Sequence, residues 1–158
     1  MPKDAPSFYR AARAMREAGH FKAATEYYRK AVGYDDHQYD AWLELIDTLV
    51  RARRIAEADA ASLEAHENHK QVRALYASRA LVLAHLGRSN EAMQFSDVSV
   101  DSADESWYAR IVRGEILVRM DSGFRADALD VFEQATRLAQ NAWEPAFLAG
   151  WVLLDAKL

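Results

Sequence analysis

Hydrophobic residues recur along this chain at intervals of three and four, in short runs separated by polar breaks, which is the spacing of one face of a helix. Phe8, Ala11, Ala12 and Met15 mark the first such face, Phe21, Ala24, Tyr28 and Ala31 the second, and Trp42, Leu45, Ile46 and Leu49 the third. The pattern continues as helices over about Ile55–His66, Gln71–Leu86 and Asn90–Val100, and then through Trp107, Ile111, Ile116 and Leu117 to Met120. The next helix is expected to turn Ala128, Leu129, Phe132, Ala135 and Leu138 inward, and a last one runs from Trp143 to Leu154. Pro6 suits a first helical turn, with Ser7 or Asp4 as its cap. Asp35-Asp36-His37 reads as a turn, Asp101-Ser102-Ala103-Asp104 as a capping cluster, and Asn141 as the cap of the last helix.

These faces keep a common period. The turn residues Gly19, Arg53, Gly87 and Gly123 are separated by 34, 34 and 36 positions. Ala24, Ala58, Ala92 and Ala128 repeat the same steps, as do Ala31, Ala65, Ser99 and Ala135. In the preceding helices Phe8, Trp42 and Tyr76 are the large residues, Ala12, Ile46, Ala80, Gly114 and Gly150 stand where helices approach closely, and Met15, Leu49, Leu83, Leu117 and Leu153 follow. The two extra residues fall between Leu117 and Gly123, and are expected in Met120-Asp121-Ser122 as a lengthened turn.

A Gly-x-Phe-x-x-Ala start to each second helix, repeated at this period, resembles the tetratricopeptide-repeat family over about residues 5–157. The resemblance implies an all-α, right-handed superhelical array of about nine helices. It reads as a single domain over 1–158, with repeats at about 5–38, 39–72, 73–106 and 107–142 and a terminal helix at 143–158. The chain departs from the family in places. The family's proline near the end of each unit is replaced by Asp36, Lys70, Asp104 and Gln140, the second turn glycine is Arg53, and Arg110 stands where a large aromatic is usual.

Composition narrows the function. Twenty Lys and Arg against 24 Asp and Glu give a net charge of −4 with both signs interspersed, which argues against general nucleic-acid or anionic-membrane binding. No cysteine is present, so disulfides, thiol catalysis and thiolate metal sites are excluded. Met1-Pro2-Lys3-Asp4-Ala5-Pro6 has no apolar core of a secretory signal and no run reaches the ~20 apolar residues of a membrane span, so a cytoplasmic chain is expected.

The resemblance implies that first helices line a concave, peptide-binding groove. By the register above, its residues are Tyr9, Arg13 and Arg16, then Leu43, Asp47 and Val50, Ala77, Leu81 and Ala84, Ile111, Glu115 and Val118, and finally Phe147, Trp151 and Leu154. The best-known groove of the family grips a carboxylate with paired basic residues and asparagines. Here Tyr9, Arg13, Glu44, Ala74 and Ser78 occupy those places, so an amphipathic helix or apolar segment is the expected ligand. Arg13 and Glu115 are expected to select charge, and Leu81 and Ile111 to contact the ligand without being needed for folding.

The function implied is a non-catalytic scaffold or adaptor for a protein or peptide partner, without cofactor. The alternatives are a chaperone like those of type III secretion, a homodimer formed through the apolar C-terminal helix, or a domain lifted from a larger enzyme or regulator. His66-Glu67-Asn68-His69 is the nearest approach to a metal motif, but spacing fixes no third ligand and no metal is expected. The repeat places no serine or carboxylate beside His85, so no catalytic group is expected either.

Overall fold

The computed structural model describes residues 3–101, 106–120, 124–140 and 142–156. The lengthened turn with Gly123, most of the capping cluster at 101–104 and the cap at Asn141 lie outside them. Among the described residues there are nine helices and no strand. They group into two compact units, Met1–Lys70 and Gln71–Leu158.

The first unit holds α1 (Ala5–Glu17), α2 (Phe21–Tyr34), α3 (Tyr39–Arg51) and α4 (Ile55–Asn68), each packed on the next. Asp4 caps α1, its carboxylate accepting the Ser7 N–H at 2.8 Å, and Pro6 sits in the first turn where no backbone donor is needed. The second unit holds α5 (Arg73–His85), α6 (Ser89–Val100), α7 (Trp107–Met120), α8 (Arg125–Leu138) and α9 (Glu144–Asp155). Within it α7 is central, packing on α5, α6, α8 and α9.

One turn is built three times. At the ends of α1, α3 and α5 the N–H groups of His20, Arg54 and Arg88 donate to the carbonyls of Met15, Leu49 and Leu83 at 2.8–2.9 Å. The preceding residues Gly19, Arg53 and Gly87 donate to Arg16, Val50 and Ala84. This paired closure satisfies carbonyls that the helix end would leave open, and it requires a left-handed residue at its centre. Gly19, Arg53 and Gly87 have φ of 80°, 63° and 76°. The same three residues, His20, Arg54 and Arg88, then accept from Ala24, Ala58 and Ala92, so the next helix starts at once.

The small-residue series is buried as its spacing predicts: Ala12, Ala24, Ala31, Ala58, Ala80, Ala92, Ala128 and Ala135 have no exposed surface. With one carbon per side chain, two helices come together at their backbones. Gly114 is the extreme case, because a β-carbon there would overlap Cε1, Cδ1 and Cζ of Phe132 on α8. That contact confirms the register of α7 despite Arg110. Gly150 differs: a β-carbon there would meet open space, so no close approach requires it.

Two residues expected inside are outside. Leu129 is 45% exposed, since it stands about 100° round α8 from Ala128 while Ala128, Phe132 and Ala135 hold the buried stripe. Phe21, at the first position of α2, is 40% exposed because the tight crossing begins one turn later, at Ala24.

Two substitutions test these constraints by denaturant unfolding. Arg53→Gly relieves a left-handed side chain and is expected to stabilise the fold by about 0.5–1 kcal/mol after the entropy that glycine adds to the unfolded chain. Gly114→Ala forces the Phe132 ring out of a filled cluster and is expected to destabilise by about 1–3 kcal/mol, although alanine is the better helix former.

Candidate functional site

In the first unit, the faces of α1 and α3 expected to line a groove carry a network of charges. Helical spacing aligns Tyr9, Arg13 and Arg16 on α1, and Leu43, Glu44, Asp47 and Arg51 on α3. Glu44 accepts the Tyr28 hydroxyl at 2.9 Å and pairs with Arg13 at 3.5 Å and Arg16 at 4.0 Å. Asp47 is buried and takes Arg16 at 3.4 Å and Arg51 at 3.2 Å.

This surrounding sets the protonation energetics. Burial pushes the Glu44 carboxyl above its ordinary range, and the Arg16 charge opposes that shift. Burial, followed by the Glu44 charge, raises the phenols of Tyr9 and Tyr28, so both are held as neutral donors. Arg13 keeps about half of its side chain in solvent, and its guanidinium lies 5.9 Å from the Tyr9 ring centroid. A carboxylate ligand reaching Arg13 would have to compete with Glu44. Asp47, expected on the groove surface, is instead enclosed between two arginines.

In the second unit, His85 on α5 meets Glu115 on α7, Nε2 to Oε1 at 2.7 Å, with both side chains at least 95% buried. Arg119, one turn along α7, lies 3.5 Å from Glu115 and donates to Asp155 of α9 at 2.9 Å. The chain of contacts thus ties α5, α7 and α9 together. It borders a cleft of about 430 Å³ lined by His85, Ser89, Arg119 and Asp155 with Ala84, Val118 and Val152. The sequence placed no carboxylate beside His85; the fold does, from 30 residues away in the chain. Glu115 is consequently an internal ion-pair partner, with no surface from which to select a ligand's charge.

The apolar groove positions are also internal. Ala77, Leu81 and Ile111 are at most 1% exposed. Ile111 packs in a cluster with Phe132, Leu148, Ala149 and Val152. The reason is that a first helix inside a stack has neighbours on several sides, as α7 does, so it keeps no free apolar stripe. Leu81 and Ile111 therefore serve packing, and an aspartate at either would bury a charge without a partner.

Surface is available elsewhere. Of the residues expected to bind, Tyr9 and Leu43 are half-buried, while Arg13, Phe147 and Trp151 are exposed. Helix α9 buries Pro145, Leu148, Ala149 and Val152, and turns Phe147, Trp151 and Leu154 to solvent at 58%, 39% and 78% exposure. Trp143, just before the helix, extends that stripe and meets Phe147 edge-on with ring centroids 5.7 Å apart. No described helix is long and apolar enough to cross a membrane.

No family model matches the chain, and no curated protein matches it significantly. Solved structures do. A thermophilic tetratricopeptide-repeat protein from Thermus thermophilus aligns over 97% of this chain and 83% of its own, with 21% identity and a TM-score of 0.71. YrrB, a tetratricopeptide-repeat protein described as having an unusual peptide-binding site, aligns over 98% and 78%, with 19% identity and a TM-score of 0.56. A tetratricopeptide-repeat protein from Parabacteroides merdae aligns over 97% and 60%, with 16% identity and a TM-score of 0.55. With its nine described helices and its 34-residue spacing, this chain is in fold a tetratricopeptide-repeat protein.

Proposed function

We propose that residues 1–158 act as one tetratricopeptide-repeat domain, a non-catalytic scaffold that holds a peptide or helix of a partner protein. The observation that carries this reading is the solvent-facing stripe of Trp143, Phe147, Trp151 and Leu154 on and beside α9. Aromatic rings each withdraw about 150–250 Å² from water when covered, so a stripe of three in solvent is a large unsatisfied apolar surface. An amphipathic partner helix would present anchors at matching spacing. The peptide-binding site described for YrrB, a protein of like fold, supports the ligand class. Tyr9, Arg13 and Leu43 are the proposed contacts on the first unit, because they retain surface there.

The same stripe suits a second copy of this chain, and that reading predicts association without any other protein. A chaperone role would differ only in the client, an apolar protein held soluble. The choice among partners is read by experiment with Phe147→Asp/Trp151→Asp, whose two positions are exposed and whose fold should survive.

Affinity capture from the source lysate and sedimentation over a range of concentrations are run on both forms. A monomeric wild type that retains particular proteins, each lost by the double variant, supports the scaffold; with a purified partner, Trp151→Ala is expected to weaken binding by at least about 2 kcal/mol. Wild-type mass that rises with concentration, and is restored to the monomer by the variant, assigns the stripe to self-association. Equal capture by both forms, or no capture and no association, overturns the role given to α9. Glu115→Ala should behave in the opposite way. It leaves the stripe intact but breaks a buried pair, and is expected to cost about 3 kcal/mol in denaturant unfolding.

A further inference from the structure

Taking the scaffold role of α9 as its basis, we propose that the α9 stripe receives a helix of a partner protein, aliphatic at positions i, i+3 and i+7 and laid parallel to α9 as α9 is laid on α7. The repeat supplies the comparison. Phe147, Trp151 and Leu154 stand 36 positions after Ile111, Glu115 and Val118 of α7, which stand 34 after Ala77, Leu81 and Ala84 of α5. The six earlier residues are at most 8% exposed, whereas the three on α9 are at least 39% exposed.

Within the second unit, the difference lies in the next first helix. α7 packs on α5, and α9 packs on α7. Ile111 and Val118 share one apolar cluster with Leu148, Ala149 and Val152 of α9. Ala84 and His85, Val118 and Arg119, and Val152 and Asp155 belong to the last turns of α5, α7 and α9 and line one cleft, so the three helices point the same way. Among the described residues no helix takes the next place beside α9, which packs on α7 and α8. Trp143, Phe147, Trp151 and Leu154 are spaced four, four and three apart, which sets them along one line of the helix, the seam that a second helix fills.

The face of the incoming helix is legible in the two helices already seated this way. α9 buries Pro145, Leu148 and Val152, and 36 positions earlier α7 buries Ala109, Val112 and Ile116. Both sets are apolar at i, i+3 and i+7, which is one side of a helix. The α7 set lies outside the cluster that α7 shares with α8 and α9, as befits a face turned to α5 and α6. α1 carries no such face. Its equivalents, three steps of 34 before those of α7, are Ser7, Arg10 and Ala14, with Arg10 and Ala14 exposed. A second copy stacked head to tail would thus bring a polar face to the stripe, and the matching aliphatic face has to come from a different protein.

The probe is a hydrocarbon-stapled helical peptide of about 18 residues, or five turns, with leucine at i, i+3 and i+7 and charges of both signs elsewhere. Its control has the same composition with the leucines at i, i+2 and i+5. Binding to the full nitrogen-15-labelled chain is followed through the indole N–H signals, and a nitroxide at the peptide's N-terminus reads direction. The expected result is that Trp143 and Trp151 shift while Trp42 stays, and that the nitroxide broadens Trp143 more than Trp151. Affinity is expected to fall at least about tenfold with the control peptide, and as much in Phe147→Asp/Trp151→Asp. No shift at millimolar peptide overturns the proposal, as does equal binding of the control or broadening centred on Trp151. If lysate proteins are captured through the stripe while the peptide fails, this ligand is overturned and the scaffold role stands. If capture through the stripe fails as well, both fall.

Discussion

The close approach of helices at residues too small to hold them apart is the constraint on which the structure depends. Ala24, Ala58, Ala92 and Ala128 stand at the start of successive second helices with no exposed surface, and each fixes where its helix meets its predecessor. At Gly114 the tolerance falls to nothing, since even a methyl group would enter the Phe132 ring. Packing at this density transmits a misplaced atom to the neighbouring elements. The turns comply with the same demand: closing α1, α3 and α5 with a left-handed residue lets the next helix begin within one turn, and Arg53 accepts that conformation where the other two described turns of the series use glycine.

From this constraint follows a division of labour. Side chains between tightly crossed helices have no contact with solvent, and polar groups drawn into that space have to be matched there. His85 with Glu115 and Arg16 with Asp47 are such matches, each joining two helices within one unit. Buried ion pairs are poor sources of net stability but costly to break, so they favour one register over its alternatives. Solvent is left to the faces that no described helix covers, among them the apolar α9 stripe.

The sequence displayed the parts of the fold that repeat. Three position series with a common spacing located the three described turns and most of the small crossing residues, and helical periodicity located the nine described helices, because each depends on residues close together in the chain. The site was less legible. Leu81 and Ile111 have the spacing of a groove face, but periodicity within a helix does not count how many neighbours that helix has, and both are covered. His85 and Glu115 are 30 residues apart with no motif between them. His69 sits in a sequence that suggests His66 as its companion, whereas the fold turns it toward Asp36 and His37, more than thirty positions earlier. The solvent-facing α9 residues were readable because an apolar residue on every side of a helix needs more cover than one neighbour supplies.

The distribution of tryptophan makes the molecule optically uneven. Trp42 is enclosed and hydrogen-bonded to the Asp36 carbonyl, while Trp143 and Trp151 stand in solvent. Indole emission shifts to longer wavelength in water, so the spectrum of this chain is a composite: a blue component from Trp42 in the first unit, a red one from the α9 stripe, and between them the half-buried Trp107 of α7. A soluble quencher would extinguish the red component and spare the blue. Events at the α9 stripe can therefore be followed by colour in one cuvette, with no label attached.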